Sequence, residues 1–372
     1  MNHRERALAV LNYQPYDRLP IVHFGFWQET LEQWADEGHI SHRLAATWGD
    51  GNRADREISR QLSFDFNWSS TFGANLGLYP AIRRRVLEKF PDGSQKVLDN
   101  NGAIILVKPG IVSIPTELDH LLKGRAEWEK LYRPRLQWSE GRLRRTKMPG
   151  KILEPEQREA PLGLACGSLI GGIRNYVGLV GLSYLTADDP ALLDEMIETV
   201  AGLCHQGSQA TLEAGARPDF GHFWEDICYR AGPLVNPRFF RAKMGPGYRR
   251  ITDLLHAHGI YLVSVDCDGK IDALIPTWLE NGVNVMFPIE VGVWGASIAP
   301  WREQYGRELR GVGGMDKRAF AQDYAAVDAE IERLKPLVDL GGYLPCPDHR
   351  IAPDAKWENV QYYCERMRQV FG

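Results

Sequence analysis

From residue 160 onward the chain alternates short apolar runs with helical patterns of a dozen or more residues. That alternation constrains the fold more than any other feature, because parallel strands need long crossover connections, usually helices, and strands covered on both faces read as continuous apolar runs. The runs fall at 162–166, 218–224, 260–265, 283–288, 309–313 and 343–345, with helical patterns at 190–214, 237–258, 271–280, 317–338 and 357–371 between or after them. Gly259 and Gly282 stand where helix ends favour glycine. Upstream, the β-branched and aromatic run 21–27 reads as strand 1, and a less distinct strand 2 falls within 62–72. Eight strands with helices between most of them predict a (β/α)8 TIM barrel, an α/β fold. An open doubly wound sheet shares the alternation, but its dinucleotide-binding version lacks support, since no GxGxxG follows strand 1.

The 372 residues are expected to form one domain, 1–372. Residues 4–13 predict a helix across the barrel floor, ending at the turn Gln14-Pro15-Tyr16-Asp17. Two turn signals, Pro91-Asp92-Gly93 and Asn100-Asn101-Gly102, divide strand-like runs and predict a β-meander inserted at 82–112. The segment 128–158, rich in charge and proline, reads as an exposed helix followed by a loop that could face a partner.

With 44 basic against 48 acidic residues and only short basic runs at 83–85 and 144–147, the chain lacks the concentrated positive field that a nucleic acid needs. The charged first residues contain no signal-peptide core, and no run approaches the roughly 20 apolar residues of a membrane span, so a cytoplasmic protein is expected. Cys166, Cys204, Cys228, Cys267, Cys346 and Cys364 form no CxxC pair and are expected to be reduced, mostly as core residues.

In a (β/α)8 barrel the reactive groups lie beyond the C-terminal strand ends. Those positions read Trp224-Glu225-Asp226, Asp266-Cys267-Asp268-Gly269, Glu290, Gly313-Gly314-Met315-Asp316 and Cys346-Pro347-Asp348-His349-Arg350. Strand 1 adds His23 and Trp27, and the segment after strand 3 adds Ser168 and Arg174. Carboxylates converging on a histidine can hold a metal, keep a carboxyl protonated for acid catalysis or bind a cation. The pair Asp266 and Asp268, flanking one cysteine, needs a proton, cation or metal between them, whereas Asp316 before Lys317 suits a helix cap equally well. The expected catalytic set is His349, Asp266, Asp268, Glu225 and Asp226; His23, Trp27, Arg174, Trp224, Glu290, Asp316 and Arg350 are expected to contact substrate. Cys346, Asp266 and His349 are the candidate metal ligands, for zinc or another divalent ion.

Several blocks carry a further signal: Arg4-Glu5-Arg6 with Pro15-Tyr16-Asp17-Arg18-Leu19-Pro20, Trp224-Glu225-Asp226 through Pro237-Arg238-Phe239-Phe240, Asp266 to Gly269, and Asp348-His349-Arg350-Ile351-Ala352-Pro353 with Glu358-Asn359. In these the chain resembles the uroporphyrinogen decarboxylase superfamily, which includes the haem-pathway decarboxylase and corrinoid-linked methyltransferases. The resemblance implies a TIM barrel and matches His349 to the family's C-terminal histidine. It departs from the decarboxylase after strand 1, where His23-Phe24-Gly25-Phe26-Trp27-Gln28-Glu29 stands in place of an arginine motif that grips acidic side chains. It departs from the zinc thiol methyltransferases at Asp266-Cys267-Asp268-Gly269, which replaces an HxCG motif, while Cys346 matches the second zinc cysteine. What remains implied is methyl transfer from a small methylated substrate, a methoxy-aromatic or an amine, to a corrinoid on a partner protein, with Phe26, Trp27, Trp68, Trp224 and Trp294 as a stacking pocket. A divergent decarboxylase using Arg174 or Arg350 as a clamp, or a barrel that only binds a corrinoid or ligand, are the alternatives. A homodimer is compatible with either enzyme.

Overall fold

The computed structural model describes residues 1–144 and 154–372. The basic run 144–147 and the later part of the 128–158 segment fall mainly outside them.

The strands, in chain order, are β1 (Val22–His23), β2 (Phe66–Asn67), β3 (Thr71–Phe72), β4 (Arg85–Lys89), β5 (Gln95–Leu98), β6 (Ala103–Lys108), β7 (Ile111–His120), β8 (Gly163–Gly167), β9 (Phe220–Trp224), β10 (Cys228–Tyr229), β11 (Gly232–Pro233), β12 (Val263–Asp266), β13 (Val285–Ile289), β14 (Arg310–Met315) and β15 (Tyr343–Pro347). A seven-stranded parallel sheet runs in the order β15-β14-β13-β12-β9-β8-β3. Its strands are close to those expected from the apolar runs, and β12, β13 and β15 are buried throughout, the pattern of strands covered on both faces.

Beyond the two ends of this sheet lies a separate parallel pair, β1 with β2. The chain turns between β2 and β3, with the Ser70 amide donating to the Asn67 carbonyl, so the expected strand 2 is two short pieces. At the other side, Phe26 and Ile351 form an isolated parallel bridge just past β1 and β15. The closed eight-strand ring expected from the sequence is therefore not a continuous ladder among the described residues. β1 stops early because Gly25 turns at φ 85°, where a Cβ would run into the Arg350 guanidinium.

The insertion is a four-stranded antiparallel sheet, β4-β5-β6-β7, which extends to His120, past the limit of 112. The segment after it corrects the reading of an exposed helix. Trp128, Tyr132 and Leu136 are buried, and the Trp128 indole donates to Glu195 at 3.1 Å. Its apolar residues were hidden in the sequence by the interleaved Glu129, Lys130 and Arg133, which stay exposed.

A long helix that the apolar alternation did not reveal, Gly171–Asp188, follows β8, and its helical geometry breaks at Gly178. The N-terminal helix His3–Leu11 lies across the other end of the strands. Arg4 donates to the Glu159 carbonyl and pairs with Asp219, on the approaches to β8 and β9, while Val10 accepts from Gly342 and Leu11 from Arg310, at β15 and β14. All six cysteines are free and buried. Among the described residues no helix is long and apolar enough to cross a membrane.

Candidate active site

A cleft of about 820 Å³ opens at the C-terminal ends of β8, β9, β12 and β15. Its lining brings together eight of the residues singled out in the sequence: Trp27, Ser168, Trp224, Asp226, Asp266, Asp268, His349 and Arg350. The strand ends supply them because in parallel units the backbone leaves the sheet there, and the side chains of the first loop residues face the opening.

Three ion pairs ring the cleft. His349 Nε2 and Asp268 Oδ2 lie 3.2 Å apart, with the imidazole stacked on Trp27 at 5.3 Å and edge-on to Phe24 at 5.2 Å. The remaining polar atoms of this pair, His349 Nδ1 and Asp268 Oδ1, are buried without a hydrogen-bond partner. Arg350 makes two bonds to Asp50, at 3.1 and 2.7 Å, and lies over the rings of Phe24 and Trp48. Arg174 holds both the backbone oxygen of Asp226, at 2.8 Å, and its carboxylate, at 3.1 Å, and sits over Trp224. That grip fixes Asp226 in the left-handed region, at φ 38°. Burial raises the Asp226 carboxyl despite Arg174, with Asp268 adding to the shift.

Asp266 has no such partner. It is 8% exposed and makes no ion pair within the described residues. Burial, reinforced by Asp268, Asp226 and Asp50 and opposed by Arg350, pushes its carboxyl well above the ordinary carboxylate range. Of the proton, cation or metal called for between Asp266 and Asp268, this burial favours a proton, held on Asp266.

The other expected site residues do not line the cleft. Glu225 is buried and its carboxylate accepts from the amides of Leu169, Ile170 and Gly171 at 2.8–3.0 Å, from the Ser168 hydroxyl and from Tyr248 at 2.6 Å. It anchors the start of helix Gly171–Asp188, whose first amides lack partners inside the helix. Glu290 is buried and accepts from the Gly269 amide, with its carboxyl pushed up to about 8 by burial and by Asp268. Asp316 caps the turn Lys317–Ala321 through the Arg318 amide and pairs with the Arg318 side chain, the helix-cap alternative. His23 is enclosed: Nδ1 accepts from the Gly25 amide at 3.0 Å and Nε2 meets Ser59 Oγ at 2.9 Å.

Arg174 reaches the cleft through Asp226, Trp224 and Asn175, and both guanidinium groups proposed as a carboxylate clamp, Arg174 and Arg350, are already engaged by aspartates. Of the expected stacking residues, Trp27 and Trp224 line the cleft, while Trp68 packs on Phe220 at 4.3 Å in the core.

Cys346 is fully buried, and its thiol donates to the Pro347 carbonyl rather than facing Asp266 and His349. Burial raises that thiol well above its usual range, away from the thiolate form that binds zinc. Among the described residues no three His, Cys, Asp or Glu side chains gather as a metal site requires. The residues present do not fit the metal centre expected from the sequence.

The cleft also includes polar residues that the sequence reading passed over: Asp50, Ser69, Asn175, Tyr176 and His222. Asp50 lies in a short turn between helices and His222 lies within a strand, so neither occupies the strand-end position on which the reading relied.

No family model and no curated protein matches the sequence. Among solved structures, a methyltransferase from Methanosarcina mazei superposes with a TM-score of 0.63 at 14% identity, covering 100% of this chain and 99% of its own. A B12-independent methionine synthase from Shewanella, in complex with selenomethionine, gives a TM-score of 0.48 at 11% identity, with 95% and 98% of the two chains covered. This chain is a mixed α/β protein with a parallel sheet and a strand-end cleft, and its fold is that of the Methanosarcina methyltransferase.

Proposed function

We propose that the chain is a methyltransferase that takes a methyl group from a small methylated substrate and passes it to the corrinoid of a partner protein covering the mouth of the cleft. The barrel is read as closed in the sense of the superfamily, with β1 and β2 completing the ring between β15 and β3. The single observation that carries this reading is Asp266, a buried, unpaired carboxyl in the raised range at the centre of a cleft walled by Trp27 and Trp224.

Methyl transfer from oxygen leaves an alkoxide or phenoxide, which has to gain a proton as the carbon–oxygen bond breaks. A carboxyl that keeps its proton at neutral pH provides a general acid at that position. Within hydrogen-bond reach of the leaving oxygen, Asp266 would give up its proton as the electron pair arrives there. The Asp268–His349 pair stands beside it to return a proton from the mouth. The corrinoid, when its carrier docks, supplies the nucleophile that accepts the methyl group. A methoxy-aromatic fits these residues better than a methylammonium, because burial raises the Asp266 carboxyl and so disfavours its charged form, and the flanking aspartates are paired with Arg174, Arg350 and His349. Decarboxylation draws less support, since both arginines that would clamp a substrate acid already hold Asp226 and Asp50.

The test is a panel of methoxy-aromatics and methylamines with a compatible corrinoid protein and reductant, reading loss of the methyl group and release of carbon dioxide. Demethylation is expected, and Asp266→Asn is expected to lower its rate by about 10²–10⁴-fold. No demethylation across the panel, or an Asp266→Asn protein as fast as the parent, sinks the reading.

A further inference from the structure

His222 stands apart from the charged pairs at the cleft mouth. It lies inside β9, in register with Ala165 of β8 on one side and Ser264 of β12 on the other, two residues deeper in the sheet than Trp224 and Asp266. The rings of Phe220 and Phe287 lie 6.1 and 6.0 Å away. The residue is 8% exposed and yet lines the cleft.

Two buried histidines of the parallel strands can be compared directly. His23 on β1 has both ring nitrogens occupied, by the Gly25 amide and the Ser59 hydroxyl. His222 has neither ring nitrogen hydrogen-bonded to a described residue, and its Nδ1 is buried without a partner. Ser69 shows the same condition in the same cleft, with Oγ buried and unpartnered. Buried polar atoms normally find a partner, and atoms left open in a cleft are those a ligand can satisfy.

The imidazole at this depth is neutral. Burial pushes it down to about 4, with only the distant influence of Asp50 in the other direction. A neutral ring offers one donor and one acceptor, a match for a hydroxyl or phenol, which both accepts and donates, and a poor match for an ether or an ammonium group.

We propose that His222 receives an uncharged hydroxyl of the substrate at the inner end of the cleft, and so selects ligands whose buried end carries a hydroxyl and no charge. This rests on the proposed methyl transfer only for the choice of methoxy compounds as probes.

The test is equilibrium binding, by calorimetry or by quenching of tryptophan fluorescence, with three probes of similar size: guaiacol, 2-methoxytoluene and 2-methoxybenzylammonium. The parent protein is expected to bind guaiacol at least about tenfold more tightly than either of the others. His222→Leu is expected to abolish the preference over 2-methoxytoluene, and His222→Gln to recover part of it. A preference unchanged in His222→Leu overturns the proposal. If that variant does not fold, the parent's ranking decides, and a parent that binds 2-methoxytoluene or the ammonium as tightly as guaiacol, or binds none of them, overturns it. A protein that ranks the probes as expected but transfers no methyl group overturns the reading of the reaction and leaves the role of His222 standing. Methyl transfer without a His222-dependent ranking overturns the role of His222 alone.

Discussion

Glu290 shows how one buried carboxyl links pH to stability. Its folded pKa, pushed up to about 8, exceeds the ordinary value of 4.5, so the folded state holds the proton more tightly than the unfolded chain. The sign follows: the stabilisation is fully present below about 4.5 and is lost as pH rises toward 8. Glu290→Gln keeps an oxygen for the Gly269 amide and removes the titration. Its melting temperature relative to the parent is therefore expected to climb by a few degrees between pH 5 and pH 8.5, with each kcal/mol worth roughly 2–4 °C in a chain of some 200 residues and less here. Thermal melts at matched ionic strength check this, and a gap that narrows with rising pH contradicts it. At this scale the sequence was partly legible. Asp226, Asp266, Asp268, His349 and Arg350 were visible because strand ends announce themselves, and all five line the cleft. Glu225 shares that address but is drawn inward by three backbone amides, a demand set by the packing of another segment. His222 was hidden for the opposite reason, since a histidine inside an apolar run looks like core until the cleft behind it is seen.

Among the elements, the helix Gly171–Asp188 depends on the closest backbone approach near the cleft. A Cβ on Gly171 would lie 1.9 Å from the Glu225 carbonyl oxygen and 2.7 Å from its carbon, neither of which can swing aside. Gly171→Ala is expected to cost at least about 2 kcal/mol, the scale of forced overpacking, and to loosen the turn that carries Ser168 and the first helical turn that carries Arg174. Urea unfolding reads the first effect. A variant within 0.5 kcal/mol of the parent would show that these turns relax freely, where roughly that margin is typical of surface changes. The sheet strands from β8 onward were legible because burial on both faces leaves continuous apolar runs. This helix was not, since GGIRNYVGLVGLSYLTAD has apolar residues all around and four glycines, and so lacks the polar stripe that marks a surface helix. The gap between β2 and β3 had no signal either, because breaks in a ladder come from a neighbouring strand's register.

For the molecule as a whole, Asp219 ties the floor to the sheet. Its carboxylate pairs with Arg4 at 2.6 Å and Arg158 at 2.9 Å and accepts from the Leu162 amide at 2.9 Å, joining the first helix to the approaches of β8 and β9. Asp219→Ala breaks the ion pair with the buried Arg158 and is expected to cost about 3–5 kcal/mol, read as a lower urea midpoint with an unchanged slope. A midpoint equal to the parent's would place the floor's stability in its apolar contacts, among them the fully buried Ala7. The floor also has a kinetic consequence. The first helix reaches from the approaches of β8 and β9 to those of β14 and β15, covering the end of the strands opposite the cleft. Under the proposed reaction, small molecules enter and leave by the strand-end rim, which a macromolecular partner would cover. Under the proposed reaction, loading therefore precedes docking and undocking precedes emptying: the visitor enters first, the lid second, and a surplus of lids slows the turnover they are needed for.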